Sequence, residues 1–437
     1  MPGGEGPLAL AVAHVLARDG RARVAKEVRR VLSGFSPRDA AARTGVEPGR
    51  IERLAHDLQD HGPAVAVGGG DPGGGPLTRD AERAIALLDV VLGSGGREGG
   101  IVARRPVPGA GEPVLRPTAL AEVPAGSVGV LLLDGADDGR ALPWPVLRAV
   151  LAPKAVVVSL SPFDGMLAGE ADVLVPAPAP LEAWDEVLPT ADASAASYAV
   201  AAPVVPPAAG ATDTVAFVQA LASALGVEVG RATHEERLHD RVAAIRATGR
   251  GRLVARADGG YGETTASSPE AAWEALVAGG CWIDDAAERA VLDVRLPVPG
   301  AATLSQWRQP AGDGLMLVAF AARGAVGTTP PSPLLTKLYQ ESDLRPAGTT
   351  AAVAPGTAAR LGLAEGQPAR LETPAGAVRA AVRIDPTLPL DRVAVAAGPD
   401  AASLHPGTGA RSGGALPLVA AAADGTWRET RVRVREA

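Results

Sequence analysis

The sequence predicts an α/β chain that ends in a small β-barrel, and three observations carry that reading. Apolar runs over 128–133, 156–160 and 173–175, with a helical segment over 145–151, have the rhythm of βαβ units and a parallel sheet. The composition changes after Gly226: residues 231–290 are charged and helical in pattern, and 297–346 is rich in Pro and Gly with broken periodicity. From Thr350 short strands are separated by Gly, Pro and Asp, as in a small all-β barrel. The expected division is an α/β domain over 1–230 with a mainly parallel sheet, a helical and irregular connector over 231–345, and a barrel over 346–437.

Each element has a local reason. Leu8, Leu10, Val12, Val15 and Leu16 recur at near-helical spacing, so 7–32 reads as helix. Ser36 can cap a helix over 37–44, and 48–60 carries Ile51, Leu54 and Leu58 on one face. Residues 63–67 read as a short strand running into Gly68-Gly69-Gly70. An amphipathic helix is expected over 79–92. Pro145 falls in a first helical turn, where a missing N–H is tolerated. Residues 213–225 read as a helix closed by Gly226. Trp273 and Trp282 are the expected anchors of the region that follows, and the barrel strands are expected over 351–353, 369–372, 378–384 and 393–396.

Composition excludes several functions. Of 437 residues, 47% are hydrophobic and 21% charged, which rules out bulk disorder. Aromatics are only 3%, so any core is built from Ala, Val and Leu. Lys and Arg number 42 against 49 Asp and Glu, a net charge of −7 without the basic footprint of a nucleic-acid binder. Cys281 is the single cysteine, which excludes an internal disulfide, a thiolate-bound zinc and a self-contained iron–sulfur cluster. The first residues carry no basic n-region or twin arginine, so no export signal is expected. The longest apolar stretches, such as 149–160, are interrupted and fall short of the ~20 residues of a membrane span.

Motifs are sparse. The glycine-rich 68–75 lacks the Gly-Lys-Ser/Thr of a phosphate-binding P-loop, and by its residues alone reads as a flexible turn. His234 and His239 resemble a zinc-protease pair but are five apart, hence ~140° apart on a helix, and cannot share a metal. His14, His56, His61 and His405 are scattered, no Ser sits in a Gly-x-Ser-x-Gly elbow, and Cys281 reads as a small buried residue. The residues alone define no autonomous catalytic constellation.

Several segments in order do resemble one family. Residues 353–366, Val-Ala-Pro-Gly-Thr-Ala-Ala-Arg-Leu-Gly-Leu-Ala-Glu-Gly, resemble the opening of the molybdopterin-dinucleotide-binding barrel that closes the molybdopterin oxidoreductases of the dimethyl sulfoxide reductase type. The resemblance continues through 371–376, 378–384 and 386–398. In the first half, 35–70 looks like the approach to the family's glycine loop, 82–100 like the helix and turn after it, and 130–136 like the strand presenting a nucleotide-contacting loop. Residues 171–176 followed by Leu181-Glu182 are a further hallmark. Segments 159–163, 181–185 and 332–342 look like the molybdopterin-like subunits of menaquinone reductase and alternative-complex assemblies.

The resemblance implies a Rossmann-like sheet, a double-psi type barrel and a cleft for molybdopterin guanine dinucleotide. By family position, Gly68, Gly69, Gly70, Gly135, Asp137, Ser161 and Asp172 would face one nucleotide end, and Gly327, Thr328, Thr329 and His405 the barrel side. Two departures favour a weakened or vacant cleft. Asp137-Asp138 stands where the family has Asn-Pro, placing two carboxylates near a pyrophosphate, and Met166-Leu167 replaces a Glu-Thr pair, removing a hydroxyl donor. The family's iron–sulfur segment and metal-ligand domain have no counterpart, so the chain resembles the C-terminal portion alone.

The implied function is a family subunit of a membrane-bound, quinone-linked electron-transfer complex, without a redox centre, metal ligand or catalytic residue of its own. Its partners would be an iron–sulfur or N-terminal molybdopterin-family chain and an integral membrane, quinone-reactive subunit. It would reach the periplasmic face bound to an exported partner, with a cytoplasmic location the alternative. The other functional reading is the C-terminal half of a split, active enzyme that binds the bis-guanine-dinucleotide cofactor together with a separate N-terminal chain.

Overall fold

In the computed structural model the described residues are 4–69, 77–109, 122–134, 143–162, 166–190, 193–230, 232–257, 260–286, 314–321, 349–399, 412–419 and 430–437. The first element is not the single helix expected over 7–32. It is α1 (Glu5–Arg18), then a break, then α2 (Lys26–Leu32). The break falls at Asp19-Gly20, where Gly20 takes the left-handed φ of +69° and the apolar spacing lapses. Helices α3 (Pro37–Thr44), α4 (Pro48–Asp60) and α5 (Arg79–Leu92) follow. Ser36 caps α3 by accepting from the Asp39 N–H, as expected. Helix α1 is the centre of this body. Leu10, Val12, Val15 and Leu16 are buried beside Leu32, Phe35, Ile51, Leu87 and Leu88.

The strand expected over 63–67 is absent. The segment is held by side chains: Asp89 accepts the Ala66 N–H at 2.7 Å, and the Ser94 hydroxyl donates to the Ala64 carbonyl at 2.6 Å. These contacts take backbone groups that a sheet neighbour would otherwise satisfy. The described part of the chain before residue 110 is therefore a helical body, and the parallel sheet expected across 1–230 begins only at Val128.

That sheet has three strands: β1 (Val128–Asp134), β2 (Leu151–Ser161) and β3 (Val173–Pro176), in the order β1-β2-β3 and all parallel. Helix α6 (Trp144–Val150) precedes β2 directly. In register, Val130 lies beside Val156, and Val158 beside both Leu132 and Val173. These residues share one face of the sheet. On it Val130 is 63% exposed, Leu132 45%, Val156 43% and Val173 47%.

A second, five-stranded sheet has the order β4-β5-β8-β6-β7, from β4 (Asp185–Val187), β5 (Ala196–Ala201), β6 (Arg252–Ala257), β7 (Gly260–Thr264) and β8 (Cys281–Asp284). Helices α7 (Thr214–Ala224), α8 (His234–Ala247) and α9 (Pro269–Val277) lie between its strands in sequence. Tyr198, Leu238, Val242, Ile245, Leu276 and Trp282 form its core, with Trp273 packed against it. The boundary expected at 230/231 thus runs through one sheet, and the region read as a helical connector contributes three of that sheet's five strands. Its charged pattern reflects the solvent face of α8 and the arginines of β6, which mask a short strand alternation.

The C-terminal strands close into a six-membered ring, β10-β12-β11-β15-β9-β13, with β13 pairing back to β10 and β14 (Ser412–Gly414) added to β13. The strands are β9 (Leu315–Ala321), β10 (Thr350–Val353), β11 (Pro368–Glu372), β12 (Ala377–Ile384), β13 (Arg392–Pro399) and β15 (Arg431–Glu436). Helix α10 (Pro355–Leu361) follows β10 and ends at Gly362, which takes a left-handed φ of +66°. The expected strands at 351, 369, 378 and 393 are present. One barrel strand, β9, comes from the segment assigned to the connector, because ring closure recruits an apolar strand from upstream. The barrel interior holds Leu371, Val382, Val393, Val395, Leu416 and Val432, and Val146 of α6 joins the same cluster. No described helix is long and apolar enough to cross a membrane.

Candidate functional site

In an open parallel sheet, ligands sit beyond the carboxyl ends of the strands. Here those ends are Asp134, Ser161 and Pro176, with Ser161 directly beside Pro176 in register. The start of α7 closes over them. The Thr212 N–H donates to the Pro176 carbonyl at 2.8 Å, and the Thr214 hydroxyl donates to Asp134 Oδ1 at 2.9 Å. Asp213 caps the helix, accepting from the Val215 and Ala216 N–H groups at 2.8 and 3.2 Å. His234, at the start of α8, lies 3.6 Å from the Asp213 carboxylate.

This rim is acidic, and its helix N-terminus is already occupied. A phosphate group would need the amides that Asp213 holds, and would meet Asp134 and Asp213 as like charges. The Ser159 hydroxyl, fully buried one turn of the pleat inside the rim, has no hydrogen-bond partner among the described residues. Leu167 is buried where the resemblance calls for threonine, so that position packs instead of donating.

Of the sequence-predicted residues, Gly68, Gly69, Ser161 and Asp172 are among those described. Ser161 is buried at the rim, its carbonyl accepting the Ala177 N–H at 3.1 Å. Asp172 precedes β3, four residues from Pro176, which is roughly 13 Å along an extended strand. Its carboxylate accepts the Val157 N–H at 2.8 Å, and its own N–H donates to the Val157 carbonyl at 2.8 Å. Asp172 therefore pins the amino end of β3 to β2, away from the rim that its nomination assumed. Gly68 and Gly69 belong to the helical body, where Glu82 of α5 accepts the Gly69 N–H at 2.7 Å. Gly70, Gly135, Asp137, Gly327, Thr328, Thr329 and His405 lie outside the described residues. So do Asp138 and the segment 332–342.

Among the described residues no cluster of three or more His, Cys, Asp or Glu could hold a metal ion. Cys281 is a poor nucleophile: burial pushes its thiol up, and the thiol donates to the Trp282 carbonyl. His239 packs edge-on against Trp273 at 5.3 Å.

Sequence reasoning missed one cleft. A cavity of about 510 Å³ lies between α6 and the barrel, lined by Trp144, Pro145, Arg148, Glu170, Gly376 and Pro417. Its two walls are more than 200 residues apart in sequence, so no local spacing reveals it. It missed two half-buried ion pairs as well. Arg250 reaches Asp284 Oδ2 through two nitrogens, at 2.6 and 3.0 Å. Arg241 grips both oxygens of Glu186 at 2.7 Å and lies 5.4 Å from the ring centre of the buried Tyr198. Burial and the nearby Glu186 push the Tyr198 hydroxyl well above its ordinary range. Both groups join elements of the five-stranded sheet and its helices.

No protein-family profile matches the chain. It is 28% identical over 259 residues to the menaquinone reductase, molybdopterin-binding-like subunit of Nitratidesulfovibrio vulgaris, a match that takes in 56% of this chain and 37% of that relative. The match thus spans well under half of the relative's length. In structure the chain is similar to acetylene hydratase from Pelobacter acetylenicus, with a TM-score of 0.54 and 16% identity, over 100% of this chain and 70% of that one. The first finding supports the resemblance to the molybdopterin oxidoreductase family; the second is a likeness of fold.

Proposed function

We propose that this chain is a molybdopterin oxidoreductase-family subunit of a membrane-bound, quinone-linked electron-transfer complex, and that it serves as a scaffold without a redox centre of its own. The observation that carries the reading is the similarity to a menaquinone reductase subunit. Two features of the chain support the scaffold part. The described residues that would meet a pyrophosphate do not fit one, since Asp134 and Asp213 line the sheet rim and Glu82 holds the glycine turn. The aliphatic face of the parallel sheet is exposed at Val130, Leu132, Val156 and Val173, whereas parallel sheets are normally covered on both faces. A partner polypeptide covering that face accounts for it.

On this reading an iron–sulfur or N-terminal family chain carries the electrons, an integral membrane subunit meets the quinone, and the assembly sits on the periplasmic face. The test is purification of the tagged chain from detergent-solubilised native membranes, with mass spectrometry, metal analysis and pterin fluorescence. Co-purifying iron–sulfur and integral membrane chains, with molybdenum and pterin far below one per complex, are expected. Stoichiometric molybdenum and pterin would instead establish the chain as half of a split, active enzyme. Recovery of the chain alone would sink both readings.

A further inference from the structure

We infer that Glu82 is a built-in substitute for a bound anion: its carboxylate occupies the Gly68–Gly69 turn and keeps phosphate groups out of it. The inference rests on the proposed reading only in taking this turn as the nucleotide-facing one.

Three observations converge. Gly69 has a φ of +95°, a conformation that side-chain-bearing residues rarely adopt, and in it the Gly69 N–H points to Glu82 Oε1 at 2.7 Å. A backbone N–H freed in such a turn is the usual donor to a phosphate oxygen. Here a carboxylate of the same chain takes it, with the short distance typical of a charge-assisted bond. The space is filled as well as the donor. A Cβ built on Gly68 would lie 2.0 Å from Glu82 Oε2 and 2.9 Å from its carboxyl carbon. The missing side chain at Gly68 therefore accommodates Glu82, not an external ligand.

Glu82 is also held in place. It stands in the first turn of α5, whose start is fixed by Thr78 accepting the Ala81 N–H at 3.1 Å. Asp80 in the same turn adds a second negative charge, but it turns to Arg83 at 3.5 Å, leaving Glu82 to face the glycines. A phosphate entering the turn would have to break the Gly69 bond and displace a like charge.

Calorimetric titration of the full chain with inorganic pyrophosphate tests this, using wild type, Glu82→Ala, Glu82→Gln and Asp80→Asn, each checked for folding by circular dichroism. Glu82→Ala is expected to bind pyrophosphate at least about tenfold more tightly than wild type, the scale of one charge-assisted contact. Glu82→Gln, which keeps an acceptor but loses the charge, should fall between them and keeps the test open if the alanine variant fails to fold. Asp80→Asn removes the same charge from the same helical turn without opening the seat, so it should change affinity little. Equal binding by wild type and both Glu82 variants, or an Asp80→Asn gain as large as that of Glu82→Ala, would overturn the inference. Pyrophosphate carries no base, so this result is independent of which nucleotide, if any, the wider complex holds; the family reading stands or falls on the membrane purification.

Discussion

The C-terminal barrel and the three-stranded parallel sheet are built from the same aliphatic residues, yet they end in opposite states. The barrel closes on itself, so its strands have ring neighbours on both sides and Leu371, Val393, Val395 and Val432 are fully buried. Among the described residues the parallel sheet stays open, with β1 and β3 at its edges and one aliphatic face exposed at Val130, Leu132, Val156 and Val173. Closure removes edges and supplies a core from within, whereas an open parallel sheet must borrow its cover. The difference teaches that similar aliphatic strands bury their side chains where the sheet closes and leave them exposed where it stays open.

Four substitutions would break or sharpen that contrast. The largest effect is expected in the barrel, where Leu371→Ala should cost about 2–5 kcal/mol by leaving a cavity in a closed core, read by denaturant unfolding of the full chain. A loss below 1 kcal/mol would mean the barrel core is as loose as the open sheet.

The five-stranded sheet supplies the intermediate case. Asp284→Asn should cost about 1–3 kcal/mol, because it leaves the Arg250 guanidinium without its charged partner. Burial pushes the Asp284 carboxyl up, but the Arg250 hydrogen bonds and charge, with help from the Ala286 N–H and Arg105, hold it below its usual value of 3.8. The folded value lies below the unfolded one, so this stabilisation is present above pH 3.8 and lost as the pH falls through the folded value. Wild type should therefore lose stability on that acid limb while Asp284→Asn loses less. Parallel acid limbs would show that the pair is not formed.

A smaller loss is expected at a helix end. Thr233 accepts the Glu236 N–H, and the Glu236 side chain returns to the Thr233 N–H at 2.7 Å. Thr233→Ala should cost about 1 kcal/mol, measured as a drop in melting temperature.

The smallest stability effect is expected on the sheet face. Leu132→Ser should alter the stability of the chain by no more than about 0.5 kcal/mol, since the residue is already 45% exposed. It should nevertheless reduce recovery of partner chains from solubilised membranes. A destabilisation comparable to Leu371→Ala would show that the face is packed within this chain and erase the contrast.

Local chemistry was legible without any structure. Ser36 caps a helix where the sequence placed it, and Gly226 takes a left-handed φ just past the helix it was expected to close, because capping depends on residues at most a few positions apart. The strand runs at 128, 156 and 173 and the barrel strands from 350 likewise declare themselves by pattern over a handful of residues. Only the tertiary structure decided what met what. It gave 63–67 to Asp89 and Ser94 and not to a sheet, carried β9 across the expected boundary into the barrel, and joined β4 and β5 to β8 and β6. It set Asp172 at the far end of β3 from Ser161, and it put Glu82 into the glycine turn that looked open in the sequence. The physical reason is the same throughout: propensity and capping act between neighbours in the chain, whereas the partner of a backbone amide, a carboxylate or an aliphatic face is chosen by packing among residues tens to hundreds of positions apart.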